Sequence, residues 1–393
     1  MRAVADPLYL AVRYLRASPW RSLVLILGTT VALFLPVFTW LAAQTLETAL
    51  LARAEASPVL IGAKGNEFDL TMASLYFRGE VAETLPYGER GRLAAREGCT
   101  AVPLHVRHRA GGAPIVGTSP AYYRARGLTP AEGRLPALLG EVVAGAEVAR
   151  KAALSPGERV RSDMSNLYNL AGAYPLLLDV VGILEPTGGP DDDAFFADVK
   201  TAWALDGLFH GHGEVTAENA LDDPDREVGE DDHLEASAAI FLFAEINDRN
   251  RGGFHFHGEL DDATLTSVLV LPADPKAHDL LLGDYALSER YRAVRPVEVV
   301  ETILDIVLRL KDALTAYFAL VAASTAAFFA LVLALSLRLR RQEIRLMVRM
   351  GASRFVLAAV VGAEILLVLG TSIVLTALFT WGGLAALGAV LRT

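Results

Sequence analysis

Three long apolar runs stand out from an otherwise ordinary alternation of hydrophobic and polar positions. The first, Leu23 to Leu46, reads LVLILGTTVALFLPVFTWLAAQTL and holds no charge. About 24 residues at 1.5 Å each make a helix of roughly 36 Å, enough to cross a bilayer core with some tilt. Pro36 lies inside this run and predicts a kink, which neighbouring helices in a membrane can accommodate. The run is too long for the apolar part of a cleavable signal peptide. The second run, Ala313 to Leu337, is also uncharged and is rich in Ala and Ser, which predicts close packing on other helices. The third, Phe355 to about Leu391, carries Glu364 about three turns in. Its length, about 37 residues, fits one long helix better than two spanning helices and a turn.

The polar flanks orient these runs. In DPLYLAVRYLRASPWRS, residues Leu8, Leu10, Val12 and Leu15 share a face and Arg13, Arg16 and Arg21 point away from it. This predicts a short interfacial helix ending near Ser18-Pro19. After the second run comes RLRRQEIRLMVRMGASR, with Arg338, Arg340, Arg341, Arg345, Arg349 and Arg354 against the single acid Glu343. Arginine-rich flanks stay in the cytoplasm. The expected order is a cytoplasmic segment 1–22, a membrane helix 23–46, an extracytoplasmic domain 47–312, a membrane helix 313–337, a cytoplasmic basic segment 338–354 and a membrane helix 355–391.

The middle region mixes strand and helix patterns. Strand-like runs occupy Ala101 to Arg107, Ala113 to Gly117, Glu141 to Ala144, Leu176 to Ile183, Ala238 to Phe243 and Ser267 to Leu271. Turn signals such as Gly111-Gly112, Ser155-Pro156-Gly157 and Gly188-Gly189-Pro190 separate them. Helical patterns cover Gly88 to Glu97, Ala146 to Ala153 and Pro275 to Arg290. The expected class is α+β. Residues 205–260 are acidic and poor in large apolar side chains, which predicts a solvated loop. VEVVETILDIVLRLK, 297–311, recurs at helical spacing and predicts a stalk helix (297–312) running into the second membrane helix.

Composition sharpens this picture. The 393 residues are 53% hydrophobic and only 21% charged, below the roughly 25% usual in soluble domains. The net charge of −10 argues against a nucleic-acid partner. Cys99 is the single cysteine; it excludes an intramolecular disulfide and reads as a small buried hydrophobe.

No catalytic or nucleotide motif is present. Gly62-Ala63-Lys64-Gly65 lacks the spacing of a phosphate-binding loop, and neither G-x-S-x-G nor H-E-x-x-H occurs. No cofactor is therefore expected in this chain itself. Five histidines, His210, His212, His233, His255 and His257, cluster beside Glu214, Asp231, Asp232 and Glu259. Imidazole with carboxylate suits zinc or copper; on an acidic loop the same residues are also simply solvated. Glu364 is costly against lipid and is expected to pair with an arginine of the preceding segment.

Three segments carry a family resemblance: RRQEIRLMVRMGASR at 340–354 followed by the helix with Glu364, the strand-like LDVVGILEPTGGPDDDAFFADVKTAWAL at 178–205, and GEVVAGAEVARKAALSPGERV at 140–160. Together with the helix order they resemble the permease subunits of MacB/FtsX-like ABC transporters over nearly the whole chain. The resemblance implies a permease in the cell inner membrane that dimerises with a second copy or a paralogue. ATP and magnesium would be held by a separate cytoplasmic ATPase. The docking helix for that ATPase would use Arg341, Glu343, Ile344, Arg345, Met347, Val348, Gly351, Ala352, Ser353 and Arg354. It implies mechanotransmission: ATP-driven closure moves the MacB-like extracytoplasmic domain to export or extract a lipoprotein, peptide or small molecule, with a periplasmic or outer-membrane protein as a further partner. Four membrane helices are usual in that family. Here the chain ends at Thr393, so either the last run folds as a cramped hairpin or the fourth helix is absent. The alternatives are a non-transporting anchored scaffold of the same fold, and a zinc- or copper-linked permease using the histidine-rich loop.

Overall fold

The computed structural model describes residues 2–164, 175–210, 245–256, 258–339, 341–349 and 353–391. The chain forms two compact units, Met1–Thr48 with Thr302–Leu391, and Ala49–Glu301. Two long apolar helices, one N-terminal and one C-terminal, flank an α+β domain.

In chain order, α1 (Arg2–Ala17) and α2 (Pro19–Glu55) come first. The domain follows with β1 (Val59–Ala63), α3 (Glu67–Leu75), β2 (Leu85–Pro86), α4 (Tyr87–Ala94), β3 (Cys99–Ala110), β4 (Ala113–Thr118), α5 (Pro120–Arg126), β5 (Pro130–Gly133), β6 (Glu141–Ala144), α6 (Ala146–Ala152), β7 (Arg159–Arg161) and β8 (Leu177–Leu184). Next are β9 (Phe195–Asp198), α7 (Val199–Leu205), β10 (Phe209–His210), β11 (His255–Phe256), β12 (Thr264–Leu265), β13 (Ser267–Pro272), α8 (Pro275–Ala286) and β14 (Tyr291–Val294). Then come α9 (Pro296–Leu339), α10 (Arg341–Arg349) and α11 (Arg354–Leu391).

The domain is built on a mixed ten-stranded sheet, ordered β14-β1-β13-β3-β4-β9-β6-β8-β5 with β7 added beside β8. β4 runs parallel to β9 and β6 parallel to β8; the other pairs are antiparallel. The long strand β3 changes partners midway. Cys99–Leu104 pair with β13, and His105–Ala110 pair with β4. The core divides accordingly. One cluster gathers Val59, Ile61, Leu93, Trp203, Val268 and Leu281. The other gathers Ile115, Val142, Leu178, Val180, Phe195 and Ile246. Cys99 is half-buried at the edge of the first cluster.

α7 contributes Val199 and Trp203 to one cluster and Ala204 and Leu205 to the other. The 178–205 segment is therefore not strand throughout. Asp198 accepts a hydrogen bond from Lys200 N at 2.9 Å and starts a helix, as an N-cap carboxylate does. The segment 205–260 also departs from a uniformly solvated loop. At its ends β10 pairs with β11, and Ile246 and Phe254 are buried. Residues 211–244 and 257 lie outside the described residues, as does the strand-like run 238–243. The helix expected over 275–290 stops at Ala286, and β14 begins shortly after at Tyr291.

Arg134 and Glu141 fasten the β5 edge. Glu141 receives hydrogen bonds from Arg134 and from the backbone N of Ala137 and Leu138 at 2.9 and 3.0 Å. Burial pushes this carboxyl up, but the bonds from Arg134, Ala137 and Leu138 outweigh it and bring the value down to about 2. A depressed carboxyl stabilises the fold above its unfolded value and loses that stabilisation as pH falls through the folded one. Thermal melts from pH 5 to pH 2 should therefore show a loss of about 1–2 kcal/mol that Glu141→Gln removes, the figure reduced for screening at Arg134.

In the helical unit, α11 buries Val360, Glu364, Val368, Ser372, Thr376 and Thr380. Their fourfold spacing makes one ridge along the helix. Ser22, Leu25, Thr29, Thr30 and Ala32 of α2 are buried as well. Ser372 Oγ donates to Ile26 O at 3.1 Å and Thr376 Oγ1 to Thr30 O at 3.4 Å. The exposed positions are large and apolar, among them Val24, Val31, Leu366, Ile373, Leu378 and Phe379. Ser22 Oγ donates to Leu15 O at 2.9 Å, linking the end of α1 to the start of α2. α9 is one unbroken helix of 44 residues containing both the stalk sequence and the second apolar run, and α11 is one helix of 38 residues.

Candidate functional site

The densest convergence of metal-ligating chemistry among the described residues joins two strand histidines to the end of one helix. His105 and His108 both lie on β3. Residues three apart on a regular strand face opposite sides. Here the β3–β4 register shifts between Val106 and His108. Arg107 is the extra, exposed residue, and both histidines are buried. A β-bulge of this kind re-aims the side chains that follow it.

Asp206, at the C-cap of α7, reaches this pair from 98 residues beyond His108. Its Oδ1 lies 2.7 Å from His108 Nε2 and its Oδ2 lies 2.7 Å from His105 Nε2. The His108 contact is a hydrogen bond. The His105 contact lacks hydrogen-bond geometry, leaving His105 Nε2 and Asp206 Oδ2 buried without such a partner. Burial pushes the Asp206 carboxyl up, but the contacts with His105 and His108 outweigh it and hold the group well below the ordinary carboxylate range.

Gly117 lets α7 come this close. A Cβ there would meet the Ala202 Cβ at 2.4 Å, and the His105 Cβ and Val199 Cα at 3.4 Å. Gly117→Ala is expected to cost about 2 kcal/mol, the scale of overpacking. Gly117→Ala with Ala202→Gly should recover at least half of it, read from thermal melts of the two variants.

Of the sequence-expected metal residues, His210 and His255 are among the described ones. His210 and His255 are cross-strand neighbours in the β10–β11 pair. His255 Nδ1 lies 2.9 Å from Gly253 O. His212, His233 and His257 lie outside the described residues. Of the basic segment, Arg341, Glu343, Ile344, Arg345, Met347 and Val348 fall on α10. Arg341, Arg345 and Val348 are exposed. Gly351 and Ala352 lie outside the described residues, and Ser353 and Arg354 stand at the start of α11. Ser353 O accepts from Val356 N at 3.1 Å. Glu364 is paired with Arg21 of α2 at 2.6 Å, so its arginine comes from the N-terminal flank.

No protein-family model matches the chain. No curated protein matches it either.

Sequence reasoning missed His105, His108 and Asp206. The pattern H-x-x-H inside a strand argues for opposite faces, and only the bulge at Arg107 reverses that. A charged residue inserted between buried positions, Val106 and His108, is the one local signal of the bulge.

Proposed function

We propose that this chain is a membrane-embedded subunit that transmits movement between a cytoplasmic partner and an extracytoplasmic α+β domain, in the manner of the MacB/FtsX-like permeases it resembles. One observation carries the membrane part of this reading. The helical unit buries much polarity: Ser22, Thr29, Thr30, Glu364, Ser372, Thr376 and Thr380 lie buried beside Leu25, Val360 and Val368, while many Leu, Val, Ile and Phe side chains face outward. A soluble bundle does the reverse, because burying apolar surface stabilises it in water. In lipid no such force acts between helices, and small polar residues join them. Two helices, Pro19–Glu55 and Phe355–Gly388, are long and apolar enough to cross. Each has only 22% of its most apolar window buried, too little for core helices of a soluble fold. Trp20 and Trp40 are exposed and about 30 Å apart along the helix axis, the spacing of the two aromatic belts of a bilayer.

The transmission part rests on continuity. α2 carries the first apolar run and ends at Glu55, beside β1, while α9 begins next to β14 and carries the second run. Both β1 and β14 belong to the large sheet. The basic α10 between α9 and α11 is the proposed handle for a partner ATPase, since its sequence sets apolar residues among the arginines, which a plain topology anchor does not need.

The test is copurification. Tagged protein extracted in mild detergent should bring down a nucleotide-hydrolysing subunit, and Arg345→Glu with Met347→Glu should abolish the association without changing membrane insertion. A non-transporting scaffold predicts no such partner. Absence of a partner with the parent sequence, or its retention in the double variant, removes the permease reading.

A further inference from the structure

We propose that His105, His108 and Asp206 form a buried structural site for one divalent transition-metal ion of the zinc type, which fastens α7 to the sheet where β3 changes partners. The donor atoms come from two separate elements and all lie within 4.8 Å of one another. The residues are buried or nearly so, with side-chain exposures of 0%, 7% and 11%. Such convergence needs the bulge at Arg107 for the histidines and the close approach over Gly117 for the aspartate.

The arrangement within the group points to a cation. His105 Nε2 and Asp206 Oδ2 sit 2.7 Å apart without hydrogen-bond geometry. Two buried polar atoms so placed cost free energy unless something satisfies them. A positive ion near both supplies the missing interaction. Among the described residues, the ion-pair partners of Asp206 are these two histidines.

The donor chemistry selects the class of ion. Two imidazole nitrogens with one carboxylate suit zinc and its neighbours; calcium and magnesium prefer oxygen shells. Each residue offers one donor atom, so the protein supplies three ligands of a tetrahedral site and a water would complete it. Zinc bonds of about 2.0–2.1 Å at tetrahedral angles separate ligand atoms by roughly 3.3 Å. The donor atoms here stand 2.7 Å apart at the closest and within 4.8 Å throughout, a spread that brackets that distance. Burial excludes an open position for a substrate, so the role is structural.

The test uses full-length protein in detergent, stripped with a chelator. The background variant H210N/H212N/H233N/H255N/H257N removes the histidine-rich segment as a competing source of binding. Co²⁺ added to this variant should bind one per chain with the visible bands of four-coordinate cobalt, and Zn²⁺ should bleach them. Adding Asp206→Asn, or separately His108→Gln, should weaken binding by about 100-fold or more while circular dichroism stays that of the parent. If neither added variant folds, the quintuple variant decides alone. No cobalt band from it up to about 1 mM, or bands unchanged by Asp206→Asn, would overturn the site and leave Asp206 as the metal-free partner of the two histidines. Neither result bears on whether the helices span a membrane, so this proposal and the permease reading fail separately.

Discussion

Arg53→Met should destabilise the α+β domain by about 3–5 kcal/mol, the cost of breaking a buried ion pair from one side. Arg53 lies near the end of α2, and its side chain is 9% exposed against 4% for its partner Asp191. Its guanidinium binds both oxygens of Asp191, one of them at 2.9 Å, and donates to Tyr122 Oη at 2.9 Å and Leu75 O at 3.1 Å. Its Cζ lies 5.7 Å from the Phe77 ring centroid. Tyr122 donates to Asp191 Oδ1 at 2.6 Å. Burial drives the Tyr122 phenol well above its ordinary value, so it stays protonated as a donor. Removing Arg53 leaves Asp191 held by the tyrosine and the Leu75 carbonyl without this donor. Arg53→Lys should recover little, because an ammonium cannot reproduce the forked contacts. Arg53→Met with Asp191→Leu should recover more, since an apolar pair leaves no buried charge behind. Thermal unfolding of the three variants ranks them; a melting point unchanged in Arg53→Met would contradict the account.

Arg21→Leu should lower stability in detergent by about 2–3 kcal/mol, because it leaves Glu364 without this charged partner inside a helix seam. The exposures are unequal: the Glu364 side chain is 8% exposed and that of Arg21 is 21%. Losing the arginine should therefore cost more than losing the glutamate. Glu364→Leu leaves an arginine that can reach toward the aqueous boundary. The double variant Arg21→Leu with Glu364→Leu should be more stable than Arg21→Leu alone. A double-mutant cycle reports the coupling; strictly additive effects would show that the pair does not join the helices.

The sequence made part of this architecture legible and hid the rest for identifiable reasons. The β6 bounds Glu141–Ala144 are those of the strand-like run Glu141-Val-Val-Ala, which Gly140 and Gly145 close on either side. β8 alternates half-buried and buried positions along its length, the period-2 pattern of a strand with one covered face. The apolar runs near 23–46 and 355–391 lie in helices because no charge interrupts the pattern before Glu364. By contrast, Val59–Ala63 is buried at every position, and so short an apolar run has no period to read. Val199–Leu205 continued an apolar stretch, and its helix depends on the Asp198 cap. The two polar groups that matter most are long-range. Arg21 and Glu364 are 343 residues apart, and Arg21 by itself reads as one more basic residue of a cytoplasmic flank. His105 and His108 meet Asp206 only through a bulge and a glycine-lined approach. Local pattern predicts elements; it does not predict which distant charge each element will face.

The proposed function requires the α+β domain and α10 to lie on opposite sides of a membrane. Cysteine accessibility tests it most directly, using a Cys99→Ser background that carries either Asn66→Cys in the domain or Leu346→Cys on α10. In spheroplasts treated with a membrane-impermeant maleimide, the cysteine at position 66 should be labelled at once, and that at position 346 only after the membrane is permeabilised. Labelling of position 346 in intact spheroplasts, or protection of position 66, would contradict the account.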